Sequence, residues 1–148
     1  MPSVTASIAI NAPQEEVWSL LCKINRYPKW DAFANEIMSA SHSRLKAGAT
    51  FQERSGRDLS DWKVTIFDPP NRQTHVGVVG FIGEVKREFR VEPDGEGAAL
   101  RQAISFTVMP GVARPFGWLA EKLFVEGFVR NRLVQSGDAI KALLESGG

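Results

Sequence analysis

Hydrophobic and polar positions alternate almost from the first residue. In "SVTASIAI", Val4, Ala6, Ile8 and Ile10 share one side while Thr5, Ser7 and Ala9 share the other, which is the period of a strand. The alternation stops at "NAPQEEVWSLL". There Asn11 is suited to cap a helix, Pro13 with Gln14, Glu15 and Glu16 fills an acidic first turn, and Val17, Leu20, Leu21 and Ile24 give an apolar stripe. Pro28, inside "NRYPKWDAF", predicts a break between this helix and a second short one.

Six strand-like runs follow. "NEIMSASHSRL" ends at Ala47-Gly48, "ATFQER" at Ser55-Gly56-Arg57, and "DWKVTIF" at Asp68-Pro69-Pro70-Asn71. Then come "QTHVGVVGFIG", "EVKREFRVEP" up to Asp94-Gly95-Glu96-Gly97, and "AALRQAISFTV" up to Pro110-Gly111. Such spacing predicts an antiparallel meander. From about Arg114 to Glu145 the pattern turns helical, with Phe116, Leu119, Leu123, Phe124 and Phe128 in its first half and Leu133, Ile140 and Leu144 in its second. Gly127 and Gly137 interrupt this helix, and each either allows close approach to a sheet or leaves room for something else. An antiparallel sheet with one buried face needs a cover, and a helix of roughly 30 residues, about 45 Å long, is the only predicted element able to lie across it.

Composition narrows the function classes. The chain has 148 residues, 43% of them hydrophobic and 24% charged, with a net charge of +1, which suits a single domain spanning 1–148. No basic stripe predicts a nucleic-acid partner. The lone cysteine, Cys22, lies in an apolar run and reads as a buried, inert thiol. His42 and His75 fall on different predicted strands, so no metal centre is expected, and His75 reads as a strand-edge residue. Phosphate-binding and dinucleotide-binding loops and a Ser-His-Asp set are all missing, so no cofactor is expected. The glycines of "GVVGFIG", Gly77, Gly80 and Gly83, lie within a strand and permit bending or close backbone approach. Without a signal-peptide pattern or an apolar run of about 20 residues, the expectation is a cytoplasmic protein with no integral membrane contact.

"SIAINAPQEEVWSLLCKINRYPKWDAF" resembles the opening of the START-like, or SRPBCC, superfamily in its polyketide cyclase/dehydrase branch. "LKAGATF", "VTIFDPPNRQ", "FRVEPDGEGAALRQAISF" and "SGDAIKALLESG" are similar to later family segments and occur in the family's order, from Val4 to about Glu145. Ala98 departs from the Thr that the family often has after the hairpin glycine. The resemblance implies an α+β helix-grip fold. In it a curved six- or seven-stranded antiparallel sheet wraps a long C-terminal helix, with two short helices after the first strand. It also implies a deep apolar cavity between sheet and helix. Family members bind lipids, sterols, polyketides or hormones, some catalyse cyclisation or dehydration, and others act as co-chaperones or toxins.

Alternation then assigns a lining to the implied cavity. Phe51 and Glu53 share a face, as do Trp62, Val64 and Ile66. On "EVKREFRVE", Val85, Arg87, Phe89 and Val91 oppose a wholly charged set, so Arg87 points inward; on "LRQAISF", Gln102 points inward with Leu100, Ile104 and Phe106. The helix adds Phe116, Leu119, Leu123 and Gly127. Trp30 and Phe33 are expected at the cavity mouth, with Tyr27 and Asp31 at the surface. Two readings of the polar intruders stand together: Glu53 and Arg87 form an ion pair near a sheet edge while Gln102 bonds a carbonyl, or all three orient a ligand's polar end. A catalytic version makes Glu53 a base and Arg87 an enolate stabiliser, with Asp31 as a second candidate carboxylate. Trp118 and Val125 project away from the sheet side of the helix, either under loop or helix cover or as a homodimer surface or cavity entrance. The leading expectation is a domain that binds a small hydrophobic or aromatic molecule. Its rivals are a polyketide cyclase or dehydratase and a protein-interaction module.

Overall fold

The computed structural model describes residues 3–79, 83–106 and 115–146, with the backbone alone for 115–125. Strand β1 (Ser3–Ile10) leads into helix α1 (Gln14–Cys22), a 3-10 turn (Ile24–Arg26) and the short helix α2 (Tyr27–Trp30). Strands β2 (Glu36–Ala40), β3 (Thr50–Ser55), β4 (Asp58–Asp68), β5 (Arg72–Val79), β6 (Gly83–Asp94) and β7 (Gly97–Phe106) follow, and helix α3 (Pro115–Glu145) closes the chain. The strands form one antiparallel sheet in the order β1-β7-β6-β5-β4-β3-β2. This curved seven-stranded sheet with its C-terminal helix is the expected helix-grip architecture.

The alternation that predicts the strands also sorts their side chains. Val85, Arg87, Phe89 and Val91 of β6 are buried, as are Leu100, Gln102, Ile104 and Phe106 of β7. Helix α3 lies over the β1 end of the sheet and against α2. Val129, Leu133, Ser136 and Ile140 are the positions it buries there. Gly137 makes the approach possible, because a Cβ there would stand 3.3 Å from Cγ2 of Ile8 and 3.4 Å from Nε2 of Gln102. Gly127 is exposed, and a Cβ there would meet nothing within 4 Å. It shares the outer side of α3 with Asn131, Val134 and Asp138, so it does not line the sheet-facing side.

Four local expectations are corrected. Asn11 does not cap α1; its backbone N–H donates to Glu145 at 2.9 Å, and Pro13 takes the cap position. Pro28 does not separate the helices, because α1 already ends at the extended Lys23 and Pro28 sits in the first turn of α2, where its missing N–H costs nothing. The long run "NEIMSASHSRL" gives only the five-residue β2, and the Ser41 hydroxyl turns the chain by accepting the Thr50 N–H at 2.9 Å. In β4 the register shifts between Val64 and Ile66. This bulge turns Phe67 inward in place of Ile66, and Phe67 packs on Trp18 of α1 with ring centroids 5.3 Å apart.

Candidate functional site

Arg87 stands on the concave face of β6, opposite His75 on β5 and Ile104 on β7. Its Nη1 donates to Asp31 Oδ2 at 2.8 Å and its Nη2 to Gln102 Oε1 at 3.2 Å. Gln102 passes the connection on by donating from Nε2 to the Leu133 carbonyl of α3 at 3.0 Å. Asp31 also accepts the Phe33 N–H at 3.1 Å, and the neighbouring Ala32 N–H donates to Ser136 of α3 at 2.9 Å. One guanidinium therefore ties β6, β7, the end of α2 and α3 together. Aromatic faces hold it flat, with Cζ 4.7 Å from the Phe89 centroid, 5.2 Å from Phe33 and 5.7 Å from Trp30.

The expected Glu53–Arg87 ion pair does not form; Asp31 is the partner of Arg87. Asp31 is not an exposed helix-end carboxylate, since its side chain has 0% exposure. Tyr27 is not at the surface either. It is 1% exposed, and its hydroxyl donates to the Leu21 carbonyl at 3.1 Å. The reason is shared: α2 is pressed onto the sheet, so both side chains point under it. Trp30 is buried with them, whereas Phe33 keeps partial exposure. Of the expected polar contacts, the bond from Gln102 to a carbonyl forms as read.

Glu53 is buried on β3, where the Trp62 indole stands beside its carboxyl, and it forms no ion pair within 4.0 Å among the described residues. Burial first, then the negative charge of Asp31, pushes its carboxyl up to about 8, with Arg87 and the adjacent Trp62 indole opposing the rise. At neutral pH it is a neutral acid. Trp62 Nε1, although beside Glu53, closes no hydrogen bond of ordinary geometry; Trp30 Nε1 and Arg87 Nε are also buried without partners. The Trp62 ring stacks with Phe51 at 6.4 Å and lies across Gly77, where a Cβ would fall 2.5 Å from the ring. Gly77 thus serves close approach, as its place in the strand suggests. The residue pattern does not reveal this donor surplus, because it depends on which neighbours the fold supplies.

His75 is not an edge residue. It lies on the central strand β5, is 1% exposed, and donates from Nε2 to Gln73 Oε1 at 2.8 Å, which fixes the neutral tautomer. Burial, reinforced by the Arg87 charge, lowers its pKa to about 3. Tyr27, Phe51 and Phe89 surround the ring. Cys22 is buried as expected, its thiol pushed up by burial, and receives a long contact from Gln73 at 3.8 Å.

The structure thus brings Trp30, Phe51, Glu53, Trp62, Val64, Arg87, Phe89, Gln102, Ile104 and Phe106 into the buried interior, with Phe33 at its margin. The side chains of Phe116, Leu119, Leu123, Trp118 and Val125 lie outside the described residues. Open depressions occur on the outer face of the sheet beside Gln52, Asp61 and Lys63, between α1 and the end of α3, and beside β2 at Ile37. Glu53 and Arg87 line none of these three, and the unpartnered polar groups direct attention to the concave side instead.

A family model described as "Polyketide cyclase / dehydrase and lipid transport" matches residues 1–145. No curated protein matches the sequence. Among solved structures, DynU16, a putative protein in the dynemicin biosynthetic locus, superposes with a TM-score of 0.69 at 20% identity. That match covers 98% of this chain and 48% of the other, so the chain spans about half the length of DynU16. Protein MLL2253 from Mesorhizobium loti gives a TM-score of 0.75 at 16% identity, covering 99% of each chain. The Aha1 dimer from Colwellia psychrerythraea gives 0.66 at 19% identity, covering 95% of this chain and 97% of that one. At these identities the three likenesses establish the fold.

Proposed function

The chain belongs to the polyketide cyclase / dehydrase and lipid transport family, and from that premise we propose that it binds a small hydrophobic or aromatic molecule between the concave face of its sheet and α3. The observation that carries this reading is the composition of that face. Phe51, Trp62, Phe89, Ile104 and Phe106 come from four strands and present one apolar surface, interrupted only by a few fixed polar groups. Small-molecule sites have this character, since the apolar wall supplies affinity and sparse polar groups supply orientation.

A cyclase- or dehydratase-like activity is the second reading, and Glu53 favours it. A carboxyl held neutral near pH 7 inside an apolar wall is placed to give a proton to a carbonyl or departing hydroxyl. The role is then general acid, not base, and Arg87 is already engaged by Asp31 and Gln102.

Native mass spectrometry of freshly purified protein tests the binding reading, with thermal shifts against fatty acids, sterols and aromatic polyketides as its second arm. A bound molecule stabilises the fold by RT ln(1 + [L]/Kd), about 2.7 kcal/mol at a hundredfold excess over Kd. A protein that retains nothing and is stabilised by no compound in the set overturns the proposal.

A further inference from the structure

Helix α1 buries Val17, Trp18, Leu21 and Cys22 and turns Glu16, Ser19, Leu20 and Lys23 the other way. That outer face stands apart from the last turns of α3 and leaves a cleft of about 420 Å³ between the two helices. Leu20, Leu143 and Leu144 pack on the core with one side and line the cleft with the other. The charges along it are segregated. Lys23 and Arg26 stand just past the C-terminal end of α1, and neither enters an ion pair among the described residues. Arg44, bridged to Lys23 through the backbone, donates from Nη2 to the Ser19 hydroxyl at 3.3 Å. Glu16 is the one carboxylate on the wall and lies two turns back along α1, roughly 10 Å from Lys23. The carbonyls of Leu20, Leu21 and Cys22 would repel an anion at the basic end, but they already accept from the Lys23 N–H, the Tyr27 hydroxyl and the Leu45 N–H.

We propose that this cleft is a second binding site, across α1 from the concave face, for one molecule of an anionic amphiphile. Its carboxylate lies on Lys23 and Arg26 and its chain runs along Leu20, Leu143 and Leu144 towards Glu16. The volume is that of a small-molecule site, about 300–1,000 Å³. A stable protein interface takes about 20–30 residues a side, far more than this cleft offers. Arg26 can take the carboxylate with two N–H groups and Lys23 with its ammonium, both as charge-assisted hydrogen bonds. The chain covers leucine surface that is wet in the free protein, so binding tightens about fourfold per added methylene until the chain reaches Glu16. A second carboxylate at that end meets Glu16 and is repelled. The site is independent of the binding reading above.

Amide chemical shifts of the full chain, titrated with octanoate, hexanoate, octan-1-ol and octanedioate below micelle formation, test it. Octanoate is expected to shift the amides of Leu20, Lys23, Leu143 and Leu144, and to bind there about tenfold or more tightly than each of the other three. The double variant Lys23→Gln/Arg26→Gln, changed at two exposed positions, should unfold as the wild type does and hold octanoate no better than octan-1-ol. Octanoate shifts that persist in the double variant, or equal affinities for octanoate and octan-1-ol, overturn the assignment. Shifts confined to Phe89, Ile104 and their neighbours overturn it as well, while supporting the interior site. Binding to phosphatidylglycerol vesicles with no response to monomeric octanoate overturns the single-molecule site in favour of a membrane surface.

Discussion

The Asp31 carboxylate lies in a place with no solvent, and Arg87 is the counter-ion that makes that tenable. Replacing Arg87 with Met leaves the carboxylate buried without a counter-ion, a change that costs about 3–5 kcal/mol. Asp31→Asn added to Arg87→Met removes the stranded charge, so the double variant is expected to recover part of the loss in urea unfolding. Glu53 behaves in the opposite way because it has no ion pair to lose. Its folded pKa lies above the unfolded value, so the stability of the neutral form is complete below about pH 4.5 and is lost as pH rises towards about 8. Glu53→Gln is therefore expected to match the wild type near pH 5. At pH 8 it should be the more stable protein, by an amount on the order of a few kcal/mol, read from thermal unfolding at the two pH values.

Among the elements, three glycines give three different outcomes on substitution by alanine. Gly77→Ala drives a methyl into the Trp62 ring and should cost about 1–3 kcal/mol. Gly127→Ala meets open space within a helix and should add up to about 1 kcal/mol of stability from helix propensity alone. Gly137→Ala gains the same propensity but presses on Ile8 and Gln102, so it should fall close to neutral. Chemical denaturation of the three variants checks the order. The elements themselves were legible because strand alternation and helix periodicity are local, and so was the inward direction of Arg87 and Gln102. What the residue pattern could not carry is non-local. No glycine or proline marks the one-residue bulge after Val64. The burial of Asp31 depends on β6 coming beneath α2, and the central position of His75 depends on strand order.

For the whole molecule, two buried groups shape the response to pH. His75 has a folded pKa below its unfolded one, so its contribution is complete above about 6.5 and is lost as pH falls towards about 3. Between about 4.5 and 6.5 the His75 gain and the Glu53 loss with rising pH offset each other. Thermal unfolding should then show a plateau across that window, with midpoints falling on the acid side towards 3 and on the alkaline side towards 8. Calorimetry across pH 3–9 checks the shape.

The pairing of β1 with β7 sets a timetable for folding. Strands β3 to β7 join neighbours through short turns, whereas Ser3 reaches its partner Ser105 across 102 positions of chain. Contacts of that separation carry the largest loop-closure cost and form late. Ile8→Val in β1 should therefore hasten unfolding and barely change the refolding rate, while Val91→Ala in β6 should slow refolding. Of the seven strands, the one synthesised first is then the last to find its seat, and until it docks, the outer edge of β7 stands open to any other strand that arrives first.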